Sequence, residues 1–126
     1  QAVALLKDGS LDELEREEGI HYLLEHPSDA GTQALVEALQ DGDAGVRWSA
    51  GAALAQLGER ALVPILEALV KPTCDFLLRE GARHALHYSS SAKVRAETAE
   101  LMQAPKGPGA ELASMEAAGK LLIRLR

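Results

Sequence analysis

The sequence predicts an all-α protein built from repeated helix pairs, and two observations support this prediction. First, the apolar residues recur at helical spacing, and no segment alternates over the length of a strand. Second, one pattern recurs along the chain. Its clearest copy is the stretch Asp41–Gly58 (DGDAGVRWSAGAALAQLG) followed by Glu59–Leu69 (ERALVPILEAL), which indicates one helix, a tight loop and the start of the next helix. Because similar patterns flank this stretch, we expect a helical repeat protein.

The repeat has a nearly constant period. The same pattern begins at Arg16, Arg47 and Arg79, which lie 31 and 32 residues apart. In each copy a small residue follows three positions after the arginine and a leucine seven positions after it. The helices before them repeat as well, because Leu35–Leu39 (LVEAL) matches Ile65–Leu69 (ILEAL). We predict one domain over residues 1–126, with repeats at about 1–27, 28–58 and 59–89 and a divergent C-terminal helix pair at 90–126.

The first two helices are predicted from capping and proline signals. Ala2–Lys7 reads as the end of one helix, and a capping box from Ser10 to Glu13 begins the second. This second helix should end at His26, because Pro27 disfavours helical geometry in the residue before it. We expect its buried side to contain Leu14, Ile20, Leu23 and Leu24.

The next helices follow from turn residues and apolar spacing. Ser28–Gly31 predicts a turn before a third helix that carries Ala34, Leu35, Ala38 and Leu39, and Asp41–Asp43 ends that helix. The fourth helix should end at Gly58, since glycine commonly takes the left-handed conformation at a helix C-terminus. A longer loop at Pro72–Asp75 follows the fifth helix. The expected buried stripe of the fourth helix is Val46, Ala50, Ala53, Leu54 and Leu57.

The repeat pattern loosens in the C-terminal part of the chain. Ser89–Ser91 predicts a break, Ala92–Gln103 a helix, and the Pro- and Gly-rich Ala104–Gly109 a loop. Ala110–Arg126 then predicts a last helix. Its expected buried residues are Leu112, Met115, Leu121, Leu122 and Leu125.

Composition excludes several classes of function. The net charge of -6 disfavours the phosphate neutralisation that supplies most nucleic-acid affinity. With 47% hydrophobic but only 3% aromatic residues, the core should be aliphatic and rich in alanine. Cys74 is the only cysteine, so no internal disulfide forms. No apolar run is long enough to cross a membrane, and no leader pattern opens the chain. We therefore expect a cytoplasmic protein. The missing initiator Met favours a fragment or a processed chain.

The stretch from Asp41 to Leu69 resembles the HEAT-like repeat of phycobilisome lyases and of many bacterial scaffold proteins. The resemblance rests on Asp41 six residues before Arg47, the Ala50/Ala53/Leu54 core, the closing Leu57-Gly58 and Pro64 in the next helix, and it is clearest over residues 34–88. It implies a right-handed α-solenoid of about four antiparallel helix pairs, whose second helices line a concave face. It also implies a non-enzymatic module that binds a protein or peptide.

The same resemblance indicates which residues face the concave groove. The groove would be acidic at its ends, which favours a partner with basic residues, and would carry the only tryptophan at its centre. Two interpretations of Trp48 stay open: an exposed interface anchor, or a side chain packed across neighbouring helices. The implied partner-binding positions are Glu17, Glu18, His21, Glu25, Trp48, Ser49, Ala52, Gln56, Glu80, Gly81, His84 and Tyr88.

The three repeat arginines have a structural interpretation. Arg16, Arg47 and Arg79 are expected to brace the loops between repeats rather than to touch a ligand. The pair formed by Asp41 and Arg47 has no acidic counterpart at Ser10 or Thr73. We therefore do not expect a continuous ladder of Asp and Arg along the solenoid.

Metal chemistry is an alternative that the spacing raises. Glu17 and His21, and again Glu80 and His84, lie four residues apart and so share a helix face. The HEAT-like deoxyhypusine hydroxylases hold two irons in a similar way, but they place His-Glu directly after the repeat Arg, and this chain does not. Packed helices also lie about 8–10 Å apart, so pairs separated by a whole repeat cannot share an ion. We therefore expect neither a metal nor any other cofactor.

Other chemistry has little support in the sequence. There is no Gly-rich phosphate loop and no nucleophile with a placed base, and Cys74 is expected to be structural. The lyase resemblance leaves one alternative open, a bilin lyase-like or chromophore-binding protein in which Trp48, His84 and Tyr88 would contact a tetrapyrrole. The preferred interpretation is a non-enzymatic interaction scaffold.

Overall fold

The structure is a computed structural model that describes residues 2–8, 11–103 and 110–126. The described residues form helices and no strand. A short 3₁₀ segment, Ala38–Gln40, directly continues the third helix. The helices are α1 (Ala2–Lys7), α2 (Glu13–Glu25), α3 (Asp29–Glu37), α4 (Ala44–Leu57), α5 (Glu59–Leu69), α6 (Phe76–His87), α7 (Ala92–Glu97), α8 (Ala99–Met102) and α9 (Ala110–Leu125).

The helices stack in two layers. In the first layer α3 packs against both α1 and α5, and in the second layer α4 packs against both α2 and α6. Each first-layer helix also contacts the second-layer helix that follows it in the chain. This arrangement confirms the predicted all-α solenoid. Within the described segments, no helix is both long enough and apolar enough to span a bilayer.

Side-chain caps fix where the helices begin. The Asp12 carboxylate accepts a hydrogen bond from the Glu15 N–H at 2.9 Å, so α2 begins later than a capping box at Ser10 requires. Ser10 itself lies outside the described residues. Ser28 Oγ accepts from the Gly31 N–H at 2.9 Å, and the predicted turn at Ser28–Gly31 is therefore the N-cap and first turn of α3.

The core is aliphatic and rich in alanine, as the composition predicts. Apart from Cys74, the buried cluster consists of alanine, leucine, isoleucine and valine side chains. The buried alanines of α4 and α6 are Ala50, Ala53, Ala55, Ala82 and Ala85, and the most deeply buried large side chains include Leu35, Leu39, Val46, Leu54, Ile65, Leu66 and Leu86.

Two leucines that we expected in the core are exposed. Leu14 in α2 is 73% exposed and Leu112 in α9 is 61% exposed. The buried stripe of α2 begins at Arg16, and that of α9 at Ser114. Each leucine precedes its stripe by two residues, which is about 200° around a helix. The polar residues Arg16 and Ser114 are thus buried, whereas the leucines that apolar spacing alone predicts to be buried face solvent.

The C-terminal helices depart from the repeat. The predicted helix Ala92–Gln103 is divided at Thr98, whose Oγ1 donates to the Val94 carbonyl oxygen at 2.7 Å. A threonine hydroxyl that bonds back in this way often bends a helix. The predicted loop Ala104–Gly109 lies outside the described residues. Helix α9 packs mainly against α5 in the first layer, so it does not add a fourth helix beside α6.

Gly58 makes the sharp turn between α4 and α5. Its φ of 61° is positive, as expected for a glycine at this helix end, but its ψ of -125° lies outside the left-handed helical region, in a conformation that suits glycine. The Ser90 N–H donates to the Ala55 carbonyl oxygen at 2.9 Å, so the serine loop closes over this turn. A Cβ at Gly58 would lie 3.1 Å from Ser90 Oγ.

A buried charge pair joins the first two repeats. The Arg16 side chain in α2 is only 5% exposed and donates Nε and Nη2 to the Leu6 carbonyl oxygen at 3.0 and 2.8 Å. Its terminal nitrogens also bond both carboxylate oxygens of Asp41, which lies in the loop before α4. Arg47, in contrast, donates Nη1 to the Asp41 carbonyl oxygen at 2.7 Å. The acidic partner of the repeat arginine therefore lies in the following repeat, not six residues earlier.

The environment of Asp41 makes this pair pH-dependent. Burial raises the pKa of the Asp41 carboxyl, but hydrogen bonds from Arg16 and from the Asp43 N–H, with the charges of Arg16 and Arg47, outweigh burial and lower the pKa below its usual value. A lowered pKa in the folded state stabilises the protein above the unfolded-state pKa. That contribution is lost as the pH falls through the folded-state pKa.

Gly58→Ala should destabilise the protein by about 1–3 kcal/mol, because alanine must adopt a backbone conformation that L-residues avoid and must contact the serine loop. Gly42→Ala is the matched control, since Gly42 has ordinary φ and open space around its Cβ position. Urea unfolding followed by circular dichroism measures both. Equal effects of the two substitutions would contradict the strained turn.

Asp41→Ala should cost about 3 kcal/mol or more, because it leaves the buried Arg16 guanidinium without its carboxylate. Asp29→Ala is the control, since Asp29 forms a solvent-exposed pair with Arg60 (Nη2–Oδ1 3.4 Å) and its loss should hardly change the free energy of unfolding. In acid, Asp41→Asn should lose less stability than the unsubstituted protein as the pH falls below about 4, the usual pKa of an unfolded aspartate. If the two proteins lost stability to the same degree as the pH fell, a role for this pair would be excluded.

Candidate functional site

A groove separates α4 and α6 on the outer face of the second layer. It has a volume of about 390 Å³ and is mostly apolar, with charged side chains on both walls. We call it the α4–α6 groove. Its lining residues are Leu39, Ala44, Arg47, Trp48, Gly51, Leu77, Glu80, Gly81 and His84.

The floor of the groove is Leu39, held in the 3₁₀ segment beneath the two helices. A Cβ at Gly81 would lie 3.0 Å from Leu39 Cδ2, so a larger residue would require the Leu39 side chain to shift by a few tenths of an ångström. At Gly51 the same Cβ would lie 3.8 Å from Leu39 Cδ2 and 4.0 Å from His84 Cδ2. The two glycines thus let the backbones of α4 and α6 come close to Leu39, which is only 1% exposed and forms the base of the groove.

A row of aromatic rings crosses the groove from α4 to α6. Trp48 is 68% exposed, so it is not a core residue, and its ring centroid lies 4.8 Å from that of His84. The His84 ring lies 4.7 Å from Tyr88, which is 63% exposed, and Tyr88 contacts His87 edge to face at 4.7 Å. Of the two interpretations of Trp48, the structure supports the exposed aromatic.

The predicted partner-binding positions separate into groups. Trp48, Glu80, Gly81 and His84 line the α4–α6 groove, and Tyr88 joins them through His84. Glu17 and Ser49 meet between α2 and α4, where Ser49 Oγ donates to Glu17 Oε1 at 2.9 Å. The remaining predicted positions lie at the surface outside the groove and are His21, Glu25, Ala52 and Gln56.

Glu18 lies elsewhere, in a second depression of about 690 Å³ bounded by α1, α2 and the start of α3. Tyr22 and His26 stack in this depression with their ring centroids 4.2 Å apart. The sequence pattern did not indicate it, since the aromatic pair lies across the end of α2. This depression therefore contains an exposed aromatic side chain, Tyr22, that does not line the α4–α6 groove.

Several residues in or near the groove were not predicted from the sequence as site residues. Leu39 was predicted as core, which it is, but it is also the floor of the groove. Leu77 and the exposed Phe76 come just before the repeat arginine Arg79 and lie outside the buried stripe of α6. That adjacent apolar pair, off the buried stripe, was the only available signal. Arg47 was assigned to loop bracing alone, yet it also forms part of the groove wall.

The bracing role of the arginines differs from repeat to repeat. Arg16 and Arg47 both contact Asp41, in the loop between α3 and α4, which lies within the second predicted repeat and not between repeats. The Asp75 pKa is lowered chiefly because its carboxylate accepts the Leu78 N–H, which outweighs desolvation, and the positive charge of Arg79 contributes. Gln40 joins the second and third repeats, since its Nε2 donates to the Thr73 carbonyl oxygen at 2.9 Å.

No group of three metal-ligating side chains clusters within residues 2–8, 11–103 and 110–126. Of the two spaced pairs, Glu17 accepts from Ser49 and His84 lies between two aromatic rings. Cys74 is buried in the loop before α6 with Sγ 3.8 Å from the Asp75 carbonyl oxygen.

Residues 2–87 match the sequence model of a family described as HEAT repeats. The chain belongs to the HEAT-repeat family. The match covers α1 to α6 and stops before the divergent helices α7–α9, and it does not extend to the phycobilisome lyase subtype. No curated protein matches the chain. HEAT repeats generally serve as protein-interaction scaffolds and are typically non-enzymatic.

Purified protein should contain no stoichiometric transition metal, because neither spaced His and Glu pair gains a third ligand from a neighbouring repeat. Elemental analysis of protein prepared without chelators measures this directly. Iron or zinc near one ion per chain, lost in a His84→Ala variant but kept in His26→Ala, would assign a metal to the groove.

Proposed function

We propose that this HEAT-repeat protein is a non-enzymatic interaction module that binds a peptide or protein segment through the outer face of α2, α4 and α6. The observation that carries the proposal is the exposed Trp48, which stands beside a groove with an apolar floor. A large exposed aromatic in such a position is typical of an interface anchor.

The charges on this face favour a partner with basic residues. Glu80 is exposed on the groove wall and Glu25 is exposed on α2, and the chain as a whole carries a net charge of -6. Opposite charges across an interface mainly speed the encounter and fix orientation, whereas buried aromatic contacts slow dissociation. We therefore assign most of the affinity to Trp48 and most of the association rate to the carboxylates.

We also propose that the protein acts in the cytoplasm.

Binding of a bilin is a second candidate, because the rings of Trp48, His84 and Tyr88 contact one another in sequence. A tetrapyrrole could stack on the exposed faces of these rings. Since bilins absorb visible light, a spectral shift on adding biliverdin to the protein, absent with Trp48→Ala, would favour this candidate over a peptide. The groove is open and shallow for so large a ligand, so the peptide remains the first choice.

Trp48→Ala should weaken binding of a recovered partner by about 2 kcal/mol, mainly by speeding dissociation. The fold should survive, because most of the Trp48 side chain is already exposed. Surface plasmon resonance at two salt concentrations separates the effects: salt should slow association, since charges are screened within about 8 Å at physiological ionic strength.

Tyr22→Ala is the matched control, since Tyr22 is also an exposed aromatic but lies in the depression beside α1. It should leave binding unchanged. If Trp48→Ala folds and binds the partner as the unsubstituted protein does, the interface lies elsewhere and the proposal fails. Melting curves of both variants ensure that lost binding is not lost folding.

A further inference from the structure

Arg47 and Glu80 carry opposite charges on opposite walls of the α4–α6 groove. Arg47 belongs to α4 and Glu80 to α6. The ion pairs among the described residues join Lys7 to Glu37, Arg16 to Asp41, Arg60 to Asp29 and Arg126 to Glu67. Within that part of the chain, neither groove charge has an oppositely charged partner within 4 Å.

The equivalent arginine of the preceding repeat shows what Arg47 lacks. Arg16 uses its guanidinium fully, on the Leu6 carbonyl oxygen and on both carboxylate oxygens of Asp41. One period after Asp41 the chain has Thr73, which carries no carboxylate. Arg47 therefore has no acid at the equivalent position of the next repeat, and it makes a single hydrogen bond, to the Asp41 carbonyl oxygen.

The contact between the second and third repeats does not need Arg47. Gln40 makes this contact instead, through its hydrogen bond to the Thr73 carbonyl oxygen. A guanidinium has five N–H donors in a planar fork that suits a carboxylate. Most of the donors of Arg47 thus remain for a ligand, at the edge of a groove that also holds an exposed tryptophan.

We propose, building on the proposed function, that the bound segment presents an acidic side chain to Arg47 and a basic side chain to Glu80, with an apolar side chain between them against Trp48 and Leu77. Charge complementarity selects this occupant, because covering either groove charge without a partner would leave it desolvated and unpaired. The order of charges also fixes the direction in which the segment crosses the groove, with its acidic end toward α4 and its basic end toward α6.

A random-peptide library displayed on phage tests this inference without knowledge of the natural partner. The library is selected separately on the unsubstituted protein and on Arg47→Gln, Glu80→Gln and Trp48→Ala. Peptides selected on the unsubstituted protein should be enriched in one acid and one base flanking an apolar residue. Selection on Arg47→Gln should lose the acid, and selection on Glu80→Gln should lose the base.

The best peptide is then synthesised, and its affinity is measured through the fluorescence of Trp48, the only tryptophan of the chain. Arg47→Gln should weaken binding about tenfold, as for one charged hydrogen-bond pair. Replacing the acid of the peptide by glutamine should weaken binding to the same degree, with no further loss when both changes are combined. Arg79→Gln is the control, since this repeat arginine does not line the groove, and it should leave the affinity unchanged.

The outcomes separate this inference from the proposed function. If the selected peptides depend on Trp48 but keep their acid on Arg47→Gln, or if the two changes are additive, the charge assignment is wrong while the groove remains the binding site. If the peptides ignore Trp48→Ala, or if no peptide is selected, both proposals fail. Circular dichroism of each variant excludes loss of fold as the cause.

Discussion

The buried contact between Arg16 and Asp41 determines how the first two repeats meet. A guanidinium removed from water must satisfy most of its donors, and Arg16 does so only when the Leu6 carbonyl oxygen and the Asp41 carboxylate are both in place. These acceptors lie in α1 and in the loop before α4. The pair therefore fixes the first repeat relative to the second at one point, and the aliphatic contacts around it follow from that position.

The next junction is arranged differently, and the difference produces the candidate site. A threonine replaces the acid there, so a neutral hydrogen bond from Gln40 holds the loops while Arg47 stays at the groove wall. Glycines at positions 51 and 81 lie over the buried Leu39, and at position 81 a Cβ would crowd its side chain. The first junction is thus held by an ion pair, whereas the second is held by Gln40 and borders the groove beside the exposed tryptophan.

The sequence predicted the helical solenoid because apolar spacing and repeated arginines depend on local order alone. It failed at Leu14 and Leu112 because their stripes begin with Arg16 and Ser114, polar residues that are buried through specific partners or close packing, which spacing does not reveal. It could not decide whether Trp48 is exposed, since that depends on which residue of α6 lies opposite. His84 lies there, and the pair formed by the two rings is a contact between repeats that no single repeat encodes.

Departures from the repeat are thus more informative about function than the repeat itself. Positions that every repeat shares serve stacking, and they are filled by alanine and leucine in α4 and α6 alike. The equivalent positions Trp48 and Glu80 differ in every chemical respect, although each occupies the same place after its arginine. Stacking tolerates either residue there because the position faces solvent. What differs between repeats at such positions is free to serve binding, and in this chain the differences converge on one groove, where an aromatic ring, a cation and an anion lie around an apolar floor.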